Sequence, residues 1–196
     1  MARRSFLLFV LCSALTVEAE PAAPDIYAPL RMEVGTWSAA IEYFEDDKSS
    51  GTATGVEVNK LLLNGHWIAN DLKVRATDKL PAYEGYGMWG YDPVAKTYVN
   101  TWVDTNDQAV RTDYGVWNEA DMTMVWSSKQ NDGNGHYVDY RMVEEFKSDQ
   151  RLFTVYQLGL VKPNPHPVLK IVFTRTADEP EPGNEPPRRQ YRRPDT

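Results

Sequence analysis

From position 37 to position 176 the chain is one strand-like run after another, with a turn signal wherever a run stops and no helical period longer than a turn or two. Runs joined by tight turns lie antiparallel, so the pattern leaves few folds open. Its clearest stretch is residues 87–104, GMWGYDPVAKTYVNTWVD, where two runs rich in aromatic and β-branched residues flank Asp92-Pro93. Proline presets φ for a tight turn, and the Asp side chain can accept from the backbone two residues on. Gly85, Gly87 and Gly90 are expected to let bulky neighbours such as Trp89 and Tyr91 lie against bare backbone.

In chain order, strands are expected over 37–44, 54–63, 66–76, the hairpin of 87–104, 110–117, 122–127, 136–146, 152–158 and 168–176. Asn64-Gly65 joins two of these runs and is the strongest short hairpin signal. Residues 45–51 and 130–135 read as polar loops, and KPNPHP at 162–167 as a rigid extended connection. A short helical or irregular segment at 30–33 could plug one end. About ten twisted strands with open edges invite aggregation, so the expected fold is all-β, an antiparallel up-and-down barrel. A two-sheet sandwich is the alternative, because spacing alone does not separate the two.

The termini read differently. Arg3 and Arg4, a charge-free apolar run from Phe6 to Val17 and the small residues of Val17-Glu18-Ala19 make residues 1–19 a signal peptide, with export to the periplasm or medium. That run is too short to span a membrane, so no stable membrane insertion is expected after cleavage. Cleavage would take the formal charge from −7 to −8 and remove Cys12, the one cysteine, leaving neither disulfide nor thiolate. The acidity argues against nucleic acid as a partner. Residues 20–29 read as a flexible spacer, 30–176 as the barrel domain and 177–196 as a disordered tail. The tail's Arg188, Arg189, Arg192 and Arg193 are either a handle for an anionic surface or simply solvated. A protein partner is not specified.

No nucleophile elbow, zinc-protease helix or phosphate-cradling loop occurs. Asp132-Gly133-Asn134-Gly135 lacks the later ligands of a calcium loop and reads as a turn. His66 and His136 each open a strand with no carboxylate at a spacing that implies a dyad. The strand-borne polar residues say more. Tyr98, Asn100, Trp102 and Asp104 share one face of their strand, a polar and aromatic set suited to a ligand-holding lumen, although a one-residue slip would exchange the faces. Arg111 with Asp113 and Asp139 with Arg141 repeat a same-face opposite-charge spacing. Outer-surface pairing is one reading of both; the other puts Arg141 inside, where its fork could hold a ligand carboxylate.

Gly35-Thr36-Trp37 at the start of the first strand and Arg175 near the end of the last resemble the signature of lipocalin-like (calycin) barrels. That resemblance implies that Gly35, Trp37 and Arg175 close the barrel, with the guanidinium stacked on the indole. Gly90-Tyr91-Asp92, then Lys96, Tyr98 and Trp102-Val103-Asp104, resemble the shared pattern of a bacterial family of uncharacterised proteins, over roughly residues 30–176. Asn64-Gly65 stands where that family has Gly-Gly, and the family carries no activity to transfer. Nitrobindin-type barrels, distant relatives of this architecture, ligate haem through a histidine near the last strand. That resemblance implies haem on His166, whereas the flanking prolines place His166 in an exposed loop; no cofactor or metal is otherwise expected.

Three functions follow as expectations. The first is binding of a small, partly apolar ligand without catalysis. The second is an isomerase- or cyclase-type enzyme, betrayed by a buried group of shifted pKa beside a real cavity. The third is a structural or interaction role in the cell envelope, betrayed by a filled interior and a large apolar outer patch.

Overall fold

The computed structural model describes residues 25–107, 109–131, 136–159 and 166–177, with the backbone alone at 131 and 166. The expected signal peptide, the expected turn at 132–135 and the expected tail beyond Ala177 lie outside the described residues. A helix α1 (Ala28–Glu33) precedes ten strands: β1 (Gly35–Glu45), β2 (Lys48–Leu62), β3 (Trp67–Val74), β4 (Tyr83–Asp92), β5 (Thr97–Asp104), β6 (Arg111–Asn118), β7 (Thr123–Asn131), β8 (Tyr137–Phe146), β9 (Gln150–Leu158) and β10 (His166–Ala177). Each pairs antiparallel with the next, and β10 pairs with β1, so the sheet is a closed barrel and not a sandwich.

The seam between first and last strand is built as the Gly-x-Trp resemblance implies. Trp37 pairs with Arg175, Ala39 with Phe173 and Ile41 with Ile171. The Arg175 guanidinium lies 4.1 Å from the Trp37 ring centroid. It also donates to the carbonyls of Met32, at 2.8 Å, and Val34. Trp37 Nε1 donates to the Glu33 carbonyl at 2.8 Å. These are the carbonyls a helix C-terminus leaves without partners, so the closing residues also fasten α1 to the barrel.

A six-residue helix has no stability of its own. Pro29 near its N-terminus gives up only a donor that had no partner there. What holds α1 is packing: Leu30 is fully buried among Ile68, Trp89, Tyr98, Met124 and Trp126. Tyr98 donates its hydroxyl to the Ile26 carbonyl at 2.8 Å. The expected plug is therefore real and begins earlier than the spacer reading of 20–29 allowed, since Pro29 is already buried.

Other expectations shift in detail. Residues 45–51 are not a loop: β1 and β2 run on to a two-residue turn at Asp46 and Asp47, whose φ values of 49° and 63° suit a tight hairpin. Asp92 Oδ1 accepts from the Val94 and Ala95 amides at 2.8 and 3.1 Å, the bond expected of the Asp-Pro turn. β10 starts at His166, which pairs with Gln157, so this residue begins a strand and does not sit in a loop. Pro167 is tolerated there because the pairing is only beginning. The glycines of β4 do clear space, but for other rings. Trp102 from β5 lies over Gly85 and Gly87, and Trp67 lies over Gly90.

Candidate functional site

The barrel encloses a cavity of about 720 Å³. α1 closes one end, and the cavity reaches the opposite end at the β5–β6 connection and the facing ends of β7 and β8. Aromatic and aliphatic side chains cover most of its wall. Two polar clusters interrupt them, one on the floor beside α1 and one on the wall formed by β4, β5 and β6.

Arg151 is the centre of the floor, with Glu33, Glu57 and Glu144 around it; the four are only 2–5% exposed. One terminal nitrogen of Arg151 lies 2.6 Å from Glu144 Oε1 and 3.1 Å from Glu33 Oε1, and the other donates to Glu57. Its Cζ is 4.2 Å from the Phe173 ring centroid and 5.0 Å from that of Trp37, which therefore meets two guanidinium groups. Arg151 Nε finds no hydrogen-bond acceptor. Glu33 Oε2 accepts from Asn70 Nδ2 at 2.8 Å and Trp89 Nε1 at 3.1 Å. Asn59 Nδ2 donates to Glu57 Oε1 at 2.6 Å and to the Glu33 carbonyl at 3.2 Å.

Three carboxyl groups around one cation cannot all be ionised at low cost in a site so little exposed to solvent. Burial raises the pKa of Glu33, against the pull of Arg151. Burial raises that of Glu144 further, and the charge of Glu33 adds to the rise. Donors from Asn70 and Trp89 moderate the rise at Glu33, so the pressure against ionisation is greater at Glu144. Burial works against charge on Arg151, but Glu57, Glu33 and Glu144 outweigh it and hold the guanidinium charged.

The wall is assembled from neighbouring strands. Asn100 Nδ2 donates to Asp113 Oδ2 at 2.8 Å, and Arg111 Nε donates to the same oxygen at 3.1 Å. Asp113 is wholly buried, and its Oδ1 lies 3.0 Å from Arg111 Nε, with no hydrogen-bond donor among the described residues. Trp102 Nε1 is shared between the Tyr83 hydroxyl at 3.0 Å and Asp104 Oδ2 at 3.1 Å. Burial, then the charge of Asp104, pushes the Tyr83 phenol above its ordinary range. Gly85 and Gly87 let the Trp102 indole lie flat, since a Cβ built at either would fall within 2.5 Å of the ring.

Of the residues expected in the lumen, Asn100, Trp102 and Asp104 line the cavity. Tyr98 is on the same face but packs against α1, part of the plug and not of the lining. Burial pushes its phenol up to about 12. Arg141 is a correction: it is exposed, because the inward positions of β8 belong to Tyr140, Met142 and Glu144. Its partner in the spacing, Asp139, meets Lys129 at 3.5 Å, where both side chains are largely exposed at the rim. Arg111 and Asp113, for which an outer-surface reading was also open, face the cavity. His66 is exposed and stacks on Tyr27, with ring centroids 5.1 Å apart. The side chain of His166 lies outside the described residues. Among the described residues, no group of three or more His, Cys, Asp or Glu is placed to hold a metal ion.

The whole floor escapes a strand-by-strand reading. One signal was available: Glu144 shares the period-two face of Met142 and Phe146, and Arg151 that of Phe153 and Val155. A charge on an otherwise apolar strand face is either misassigned or paired inside, and here it is paired.

A family model described as "Protein of unknown function (DUF1579)" matches residues 26–175. Among curated proteins none matches the sequence. Among solved structures, the chain is similar to the crystal structure of Rv2717c from M. tuberculosis, with a TM-score of 0.55 and 10% identity, over 76% of this chain and 94% of that one. At that identity the likeness is one of fold.

Proposed function

Since the chain belongs to the DUF1579 family of unknown function, whose description supplies no chemistry, we propose from the interior alone that the barrel binds a small, partly apolar molecule. The observation that carries this reading is the 720 Å³ cavity, closed below by α1 and lined by aromatic rings with two polar clusters set into them. Such a volume suits a ligand of modest size, and a few polar groups in an apolar wall fix orientation. Asn100, Trp102, Asp104, Arg111 and Asp113 would meet the ligand from the wall, and Glu144 and Arg151 from below. In this reading the protein acts after export, in keeping with residues 1–19. Native mass spectrometry of the protein purified from its own host tests the proposal. A reproducible mass increment released on denaturation supports it, and a barrel that always leaves the host empty overturns it.

One observation favours a second reading, a proton-transferring enzyme. Glu33 and Glu144 are buried carboxyl groups of raised pKa that reach the cavity, as an acid–base catalyst requires. Both readings need the same open interior. The structural role drew its support from a filled interior, which this barrel does not have.

A further inference from the structure

The proposed ligand can be given a chemical class. Among the described lining residues six are acidic and three are basic. The surplus is not at the rim alone. Arg151 must serve Glu33, Glu57 and Glu144, and Arg111 faces both Asp113 and, across Trp102, Asp104. The rings between the clusters, Trp89, Trp126, Tyr140 and Phe153, offer the faces that attract a cation in a water-poor site. An anionic ligand would meet the opposite: both cavity guanidinium groups are already committed to carboxylates.

We propose that the cavity takes an organic cation, an ammonium group on an aromatic or aliphatic body, with the charged end on the floor beside Glu33 and Glu144 and the body among the rings. The inference rests on the ligand-binding reading above and narrows it. An incoming ammonium takes over the charge of the proton that burial favours on Glu144: the Glu144 O–H bond breaks, the proton goes to solvent, the net charge of the floor is unchanged and no other covalent bond changes. Binding therefore tightens as pH rises, for as long as the ammonium stays protonated.

Isothermal titration of the full chain with three matched probes, 2-phenylethylamine, 2-phenylethanol and 3-phenylpropanoate, tests the class. The amine should bind about tenfold or more tightly than the alcohol, a preference of about 1.4 kcal/mol, and the carboxylate most weakly. Titration in two buffers of different ionisation enthalpy should reveal proton release with the amine alone. Glu144→Gln, which copies the protonated side chain and so preserves the fold, should cost the amine about tenfold or more and the alcohol much less, so that the amine's preference disappears. Equal binding of amine and alcohol, or an amine affinity indifferent to Glu144→Gln, overturns the cation inference while ligand binding stands. Binding of none of the three overturns the cation inference too, and the broader reading then rests on the native mass measurement.

Discussion

The floor and the wall of the cavity solve the same problem, a charge inside a barrel, in opposite ways. The wall pairs one acid with one base and a neighbouring amide: Asp113 is met by Arg111 and Asn100, all from adjacent strands β5 and β6, and Arg111 is 22% exposed. The floor draws Glu33, Glu57, Glu144 and Arg151 from α1, β2, β8 and β9 and seals them almost completely. In the wall, the Arg111 end of the pair meets solvent while Asp113 is buried. On the floor nothing does, so each carboxyl depends on Arg151, on the asparagines or on keeping its proton. The wall is thus the adaptable side and the floor the fixed side, where stability and the proposed recognition would share the same atoms.

The largest test of that difference is removal of the two arginines. Arg151→Leu strands three buried carboxyl groups and should cost about 3–5 kcal/mol, read from the urea midpoint. Arg111→Leu leaves Asp113 its bond to Asn100 and should cost about 1–3 kcal/mol. Equal losses would abolish the distinction between the two regions. Next in size is Gly87→Ala, whose Cβ collides with the Trp102 indole; a loss of about 1–3 kcal/mol is expected with a shift in tryptophan emission. Gly51→Ala, where the built Cβ meets only Leu80 at 3.7 Å, is its control and should lack the emission shift.

The third test is the pH dependence of stability. Glu33 and Glu144 have folded pKa values above the ordinary carboxylate value of 4.5, so between 4.5 and those values the folded chain binds more protons than the unfolded one. Their contribution is therefore present at low pH and is lost as pH rises through that window. Glu144→Gln should flatten the decline in midpoints measured from pH 4.5 upward; an unchanged slope would place the proton elsewhere. Smallest is Arg141→Ala, on the exterior, expected to change stability by less than about 0.5 kcal/mol and leave ligand binding untouched.

How far the sequence could carry these distinctions follows from the same geometry. One strand's alternation places Tyr98, Asn100, Trp102 and Asp104 on a shared face, so the wall was legible from β5 alone. The side taken by Arg111 and Asp113 was not, because a same-face charge pair suits either surface of a sheet. Their neighbours decide it: Gly85, Gly87 and Gly115 stand at inward positions and leave room that long side chains fill. Arg141 fails for the complementary reason, since Met142 and Glu144 already hold the inward period. β2 misleads outright, for Val56 is exposed while Glu57 and Asn59 are buried. Apolar-in patterning is overridden there by bonds to Arg151 and α1, contacts that only barrel closure creates. The seam itself was readable from Trp37 and Arg175, but the second guanidinium over Trp37 was not, because no local pattern relates residue 37 to residue 151.

The central claim is an open interior whose floor is organised by Arg151. A crystal structure of the full chain, with its interior density traced from Trp102 down to Glu144, tests it most directly. The account predicts a continuous space holding a ligand or ordered solvent, with Glu33, Glu57 and Glu144 all on the one guanidinium. Trp102 or Tyr140 folded into that space, or Arg151 turned away from the carboxyl groups, would contradict it.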